Sequence, residues 1–234
     1  NYREDEKIMK ISILGAGSWG LALAQVLNDN SSDVLIYARR EEVVTEINSQ
    51  HTNKKYFPSV IFSEKIKATF NLKEAVQFAD ILLIAVPVKA YRSLLLEVKD
   101  YLNERKYFIS TAKGFEEKTL MRMSDVIRDV IPESYRYEII SLLGPSHAEE
   151  VVLRELTCIA SVSRDNNAAK LVQKLFSNNY FRVYTQNDEI GAEIASALKN
   201  AIAIASGILQ GIALGDNARA ALVTRGLKEL IRFG

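Results

Sequence analysis

Short apolar runs alternate with amphipathic stretches through the first three quarters of the chain. The runs at residues 10–14, 34–37, 81–86, 107–111 and 139–143 predict strands. Apolar residues at helical spacing predict helices over 19–27, 41–49, 90–101 and 120–130. Two further strands, at 158–162 and 181–184, flank a helix at 167–176. Strands that alternate with helices imply parallel βαβ units and a sheet covered on both faces. The pattern changes after Gln186. Asn187-Asp188-Glu189 reads as a helix start, with a capping side chain and an acidic first turn. A long helix runs from there to about Leu214, Gly215-Asp216-Asn217 makes a turn, and a second helix continues from Ala218 to the end. The expected division is an α/β domain over 1–186 and a helical domain beginning at 187.

Composition narrows the classes without choosing among them. With 48% hydrophobic and 25% charged residues, 234 residues can bury one large core or two smaller ones. A formal net charge of +1 gives no field that would draw the chain to nucleic acid or to anionic membranes. The single cysteine, Cys158, excludes an intramolecular disulfide, and a lone thiol fits a reducing cytoplasm. Asn1 to Lys7 is polar and lacks the apolar core of a secretion signal, while Met9 directly precedes the first strand and is a candidate start. The alanine-rich run 195–214 is the one candidate for a membrane span. It carries Lys199, Asn200, Gln210 and two glycines, so a buried helix is expected instead.

Gly15-Ala16-Gly17-Ser18-Trp19-Gly20 fits G-x-G-x-x-G between a predicted strand and a predicted helix, the context its mechanism requires. Gly15 permits the tight turn, Gly17 lets a pyrophosphate approach the backbone, and Gly20 lets the helix pack close to the sheet. Free N–H groups at the helix start, with their partial positive charge, favour the phosphates. These residues predict an α/β, Rossmann-like N-terminal domain that binds a dinucleotide, followed by an all-helical C-terminal domain. NAD-binding proteins place an acid near the end of the second strand. This chain has Tyr37-Ala38-Arg39-Arg40 there. An arginine at this point either faces a 2′-phosphate or stacks on adenine, so NAD and NADP both remain open, and a solvated helix start is the plainer alternative.

Ligands of open α/β sheets lie beyond the carboxyl ends of the strands. Ala112-Lys113-Gly114 and Gly144-Pro145-Ser146 fall on that rim. Lys113 either binds a phosphate or carbonyl oxygen or is an ordinary loop lysine. Lys199 lies in an Ala/Ile/Leu helix whose only other charge between Gly191 and Gly211 is Glu193. Such a lysine either extends its ammonium to water or is partly buried and exchanges a proton with a substrate. Asn200 beside it could hydrogen-bond a substrate hydroxyl. Gly207 and Gly211, four apart, would let a backbone or ligand approach one face. His51 and His147 lack metal-ligand spacing, so no metal is expected.

The stretches GAGSWGLALA, STAKGFE and SLLGPSHAEEV, with ALKN followed by GDNARAALVTRG, are similar to the bacterial-type NAD(P)-dependent glycerol-3-phosphate dehydrogenases. The resemblance runs from about Met9 to the last residue. It implies reversible reduction of dihydroxyacetone phosphate to sn-glycerol 3-phosphate by NAD(P)H, for phospholipid synthesis, in a cytoplasmic homodimer. It implies that Lys199 is the catalytic proton donor and acceptor and that Lys113 lies near cofactor and substrate. Gly144, Ser146 and Ala148 would line the site, and Ser18, Trp19, Arg39 and Tyr56 would contact the cofactor, with Arg40 as a further candidate. The family pattern continues beyond Gly234 with an aspartate and a serine–arginine–asparagine run that helps to hold the substrate phosphate, so the helical domain is expected to be incomplete here. A reductase of the same wider group acting on another hydroxyacid or sugar phosphate, and a non-catalytic cofactor-binding fragment, are the alternatives.

Overall fold

The computed structural model describes residues 9–233, so the polar stretch Asn1 to Lys7 lies outside the described residues. Eight strands form one sheet: β1 (Lys10–Leu14), β2 (Asp33–Tyr37), β3 (Lys67–Thr69), β4 (Ile81–Ile84), β5 (Lys106–Ser110), β6 (Arg136–Leu143), β7 (Thr157–Val162) and β8 (Phe181–Gln186). Their spatial order is β3-β2-β1-β4-β5-β6-β7-β8. The helices are α1 (Ser18–Asp29), α2 (Glu41–Gln50), α3 (Leu72–Phe78), α4 (Val88–Lys99), α5 (Met123–Val130), α6 (Ala148–Val152), α7 (Asn166–Phe176), α8 (Glu189–Gly211) and α9 (Gly215–Phe233).

Alternation along the strands builds two cores. Ile11 and Ile13 of β1, Ile81 and Leu83 of β4 and Ile140 and Leu142 of β6 meet α1, α2, α6 and α7 on one face. Leu14, Leu82, Ile84, Phe108 and Ile139 meet α3, α4 and α5 on the other. Both faces are covered, which is why these strands read as unbroken apolar runs.

Two expectations are corrected. The sheet is not parallel throughout: β6 pairs with β7 antiparallel, Ser141 opposite Val162. The connection between them contains only the five-residue α6, and antiparallel neighbours need no crossover. The pair β7–β8, joined by α7, is parallel again. Next, α8 is not a buried helix. Ile204 and Ile208 are 66% and 58% exposed: α8 packs on β6 and α5 near its start and on α9, and these two side chains lie outside those contacts. At Gly207 and Gly211 a Cβ would meet no atom within 4 Å, so no backbone among the described residues occupies that face. The close crossing of α8 and α9 instead uses Gly226, where a Cβ would stand 2.6 Å from Ile202 Cδ1.

Candidate active site

Strand order reverses between β1 and β4, which run to different neighbours and leave a crevice at their carboxyl ends. The glycine turn fills the start of that crevice. Gly15 adopts φ +129°, and a Cβ there would lie 2.5 Å from the Ala85 carbonyl oxygen. A Cβ on Gly20 would clash with the Gly15 carbonyl oxygen, so Gly20 packs α1 beneath the turn and does not line the cavity. At Gly17 a Cβ would meet nothing within 4 Å, which leaves a cradle open above the first turn of α1. The first N–H groups of a helix lack intrahelical acceptors and face outward here as donors for an anion.

Above this turn lies a cavity of about 820 Å³. At one end Tyr37, Arg39, Arg40 and Val43 of the β2–α2 region face Ser93, Leu94 and Glu97 of α4. At the other end are Trp19, Thr111, Ala112 and Lys113. Tyr56 also lines the cavity and is 37% exposed. The Trp19 indole Nε1 is buried and has no hydrogen-bond partner among the described residues. An open glycine cradle, an uncommitted indole donor and an extended crevice fit a dinucleotide. Arg40 is the residue preceding α2 and pairs with Glu42 at 3.4 Å.

The Lys113 end joins the cavity to α8. Lys199 Nζ donates to the Gly144 carbonyl oxygen at 2.8 Å, bringing α8 onto the end of β6. Gly144 is itself tight: a Cβ would stand 3.0 Å from Ile159 Cγ1 of β7. Lys113 lies beside Lys199, with its ammonium 5.8 Å from the Trp19 ring centroid. Burial, and then the neighbouring Lys199 charge, lower the Lys113 pKa to about 8. The buried hydroxyls of Ser146 and Ser196 have no partner among the described residues. The structure thus gathers Lys113, Gly144 and Lys199, residues far apart in the chain. Asn200 is exposed on α8, and Ala148 is buried at the start of α6 without lining the cavity.

A second polar cluster was not anticipated from the sequence. Glu189 and Glu193 of α8 are 2% and 5% exposed. Glu193 accepts from the Ser124 backbone N–H at 3.1 Å, the Ser124 hydroxyl at 2.6 Å and the Ser141 hydroxyl at 3.2 Å. Arg122 Nη1 adds a contact at 3.1 Å. Glu189 takes both nitrogens of Arg128, at 2.8 and 2.6 Å. Burial raises the Glu193 carboxyl above its usual range even with these donors. Burial pushes Glu189 up as well, but the Arg128 pair outweighs it and holds that carboxyl below its usual value. The signal available in the sequence was two acids four residues apart, one helical face, at the start of an apolar helix.

Known proteins are similar to this chain in sequence and in fold. Residues 10–169 match the family described as NAD-dependent glycerol-3-phosphate dehydrogenase N-terminus, and 188–234 match its C-terminus. A glycerol-3-phosphate dehydrogenase (NAD(P)+) of Streptococcus uberis is 50% identical over 225 residues, which is 96% of this chain and 67% of that protein. One from Staphylococcus aureus is also 50% identical, over 96% of this chain and 68% of that protein. The crystal structure of glycerol-3-phosphate dehydrogenase from Coxiella burnetii superposes with a TM-score of 0.86 at 33% identity, covering 96% of this chain and 68% of that one. The chain therefore spans about two thirds of the length of the relatives it matches.

Proposed function

The chain belongs to the NAD-dependent glycerol-3-phosphate dehydrogenase family, and from that premise we propose that it interconverts dihydroxyacetone phosphate and sn-glycerol 3-phosphate with NAD(P)H and NAD(P)+. The observation that carries the reading is a pair of neighbouring ammonium groups, Lys113 on the wall of the cavity and Lys199 behind it, held by the Gly144 carbonyl.

Bound NAD(P)H supplies the hydride to the carbonyl carbon. Lys199 donates a proton to the carbonyl oxygen as charge develops there, and takes it back in the oxidative direction. The Gly144 carbonyl fixes the ammonium so that it is aimed before the substrate arrives. Lys113 adds a second positive charge where the oxyanion forms, in a site partly withdrawn from water. Gly144, Ser146 and Asn200 are assigned to the substrate. Gly15, Gly17, Ser18, Trp19, Arg39, Arg40, Tyr56 and Ala148 are assigned to the cofactor, with Gly20 supporting the turn from below. The free Ser146 hydroxyl supports a polar partner there.

The product would serve phospholipid synthesis in the cytoplasm, and the functional unit would be a homodimer. By length and composition α8 could cross a membrane. Its buried Glu189 and Glu193 and its bonded Lys199 support packing against protein instead.

The test is oxidation of NADH and NADPH with dihydroxyacetone phosphate as acceptor, beside a Lys199→Ala variant. Turnover should appear in the parent and vanish in the variant, while quenching of Trp19 by the dinucleotide persists in both. Activity with a different carbonyl substrate and none with dihydroxyacetone phosphate would reject the assignment. Undiminished turnover in the variant would reject the role of Lys199.

A further inference from the structure

The described cavity has two ends, and only one is used by the chemistry above. The lysine pair and Gly144 mark the end where hydride and proton are exchanged. The glycine turn between the ends takes the pyrophosphate. The far end, formed by β2, α2 and α4, is therefore left for the adenosine half.

That far end holds one carboxylate, Glu97, alone among the residues lining the cavity. It makes no hydrogen bond or ion pair among the described residues, although Arg39 and Arg40 line the same end. It stands one helical turn from Ser93 on α4, and both side chains border the cavity. The Tyr37 hydroxyl lies within the electrostatic reach of Glu97 and Arg39. Val43 and Leu94 supply apolar walls. Apolar walls beside an uncommitted acceptor and a phenol suit a flat heterocycle that carries an N–H donor on its edge.

We propose that Glu97 selects the purine of the dinucleotide, its carboxylate accepting a hydrogen bond from the exocyclic amine of adenine. The inference rests on the reading of this cavity as the dinucleotide site. Hypoxanthine carries a carbonyl oxygen where adenine carries the amine. That oxygen would face the carboxylate, an acceptor against an acceptor. Burial and then Glu97 keep the Tyr37 phenol protonated, so it remains a donor to a ring nitrogen.

The test compares binding of NAD+ and nicotinamide hypoxanthine dinucleotide, read by quenching of Trp19, the only tryptophan. The parent should bind NAD+ about tenfold more tightly, the low end for one hydrogen bond to a charged group. Glu97→Ala should abolish the preference by weakening NAD+. Glu97→Gln, which retains an acceptor and gains a donor, should bind the two more evenly than the parent. Glu97 is exposed on α4, so all variants should unfold at the parent's denaturant midpoint. Equal affinities in the parent, or an unchanged preference in Glu97→Ala, overturn the proposal. So does a gain in NADP+ affinity without loss of base preference, which would place the carboxylate against the ribose phosphate. Failure of every dinucleotide to bind rejects the cavity reading itself, and this proposal with it.

Discussion

Gly15 and Gly17 belong to one motif and face opposite constraints. Gly15 combines φ +129° with a Cβ position 2.5 Å from a backbone oxygen, so any side chain is strained and displaces the β4–α4 connection. Gly15→Ala should lower stability by about 2–4 kcal/mol, as left-handed strain and overpacking combine. Gly17 has φ −77° and open space around its Cβ. Gly17→Ala should change stability by less than about 0.5 kcal/mol yet weaken dinucleotide binding, since its methyl enters the phosphate cradle. Urea denaturation beside Trp19 quenching separates the two effects. Equal stability losses would show that the turn, and not the ligand, sets both positions. Lys113 carries a second prediction at this scale. Burial and the Lys199 charge bring its pKa to about 8, so its positive charge is present at pH 7 and lost toward pH 9. Dinucleotide affinity should fall with rising pH by up to about tenfold across that interval, in step with the protonated fraction. Lys113→Met should flatten the profile, and Lys199→Ala should move the step to higher pH by removing a like charge. A parent profile without a step near pH 8 would remove Lys113 from anion binding.

Among the elements, α8 is the one whose placement decides the site. It is held at its start by the Glu193 contacts to Ser124 and Ser141 and the Glu189–Arg128 pair, six to ten residues before Lys199. Glu193→Ala leaves the buried Ser141 hydroxyl and the Ser124 backbone N–H without their acceptor, while Arg122 keeps Asp125 and Glu189 and the Ser124 hydroxyl keeps Glu189, and it should cost about 1–3 kcal/mol, the usual penalty for unsatisfied buried groups. Glu193→Gln keeps an acceptor and should cost less. Urea unfolding followed by circular dichroism measures both, and an unshifted midpoint for Glu193→Ala would mean that α8 is held by other contacts. This clamp was not legible in the sequence, because Glu193 there reads as a charge of an apolar helix and its partners lie on β6 and α5. Unbroken apolar strands and the longer helices were legible: β1 matched residue for residue, and the start of α2 and the end of α7 were placed at Glu41 and Phe176. The pair β3 and α3 escaped, since Lys67–Thr69 has three residues and α3 seven, too few to display a period. The direction of β7 escaped as well, because alternation along a strand is the same whichever way it runs. The site was half legible: the glycine turn and the two lysines stood out by context, while Glu97 is an unremarkable helix-surface acid until α4 is placed against β2.

At the scale of the molecule, the sheet and its two helical layers are closed, whereas α8 and α9 present apolar side chains outward. Ile204, Ile208, Ile212 and Leu214 on or just after α8, and Val223, Leu227 and Ile231 on α9, are all at least 40% exposed. An exposed apolar surface of this kind marks a site of association more often than a finished exterior. It is carried on the pair of helices that also delivers Lys199, so association and the site share a support. The polypeptide of this sequence should therefore self-associate as its concentration rises, and Ile208→Lys with Ile231→Lys should shift it toward monomer. These positions lie away from the cavity, so quenching of Trp19 by the dinucleotide should be unchanged in the double variant. Sedimentation velocity over a hundredfold concentration range, about the span needed to populate both states, measures the first effect. A parent that stays monomeric throughout would show that exposure of these residues carries no association. Monomer formation accompanied by loss of dinucleotide binding would show that the helical pair and the cavity are coupled through the Lys199–Gly144 contact.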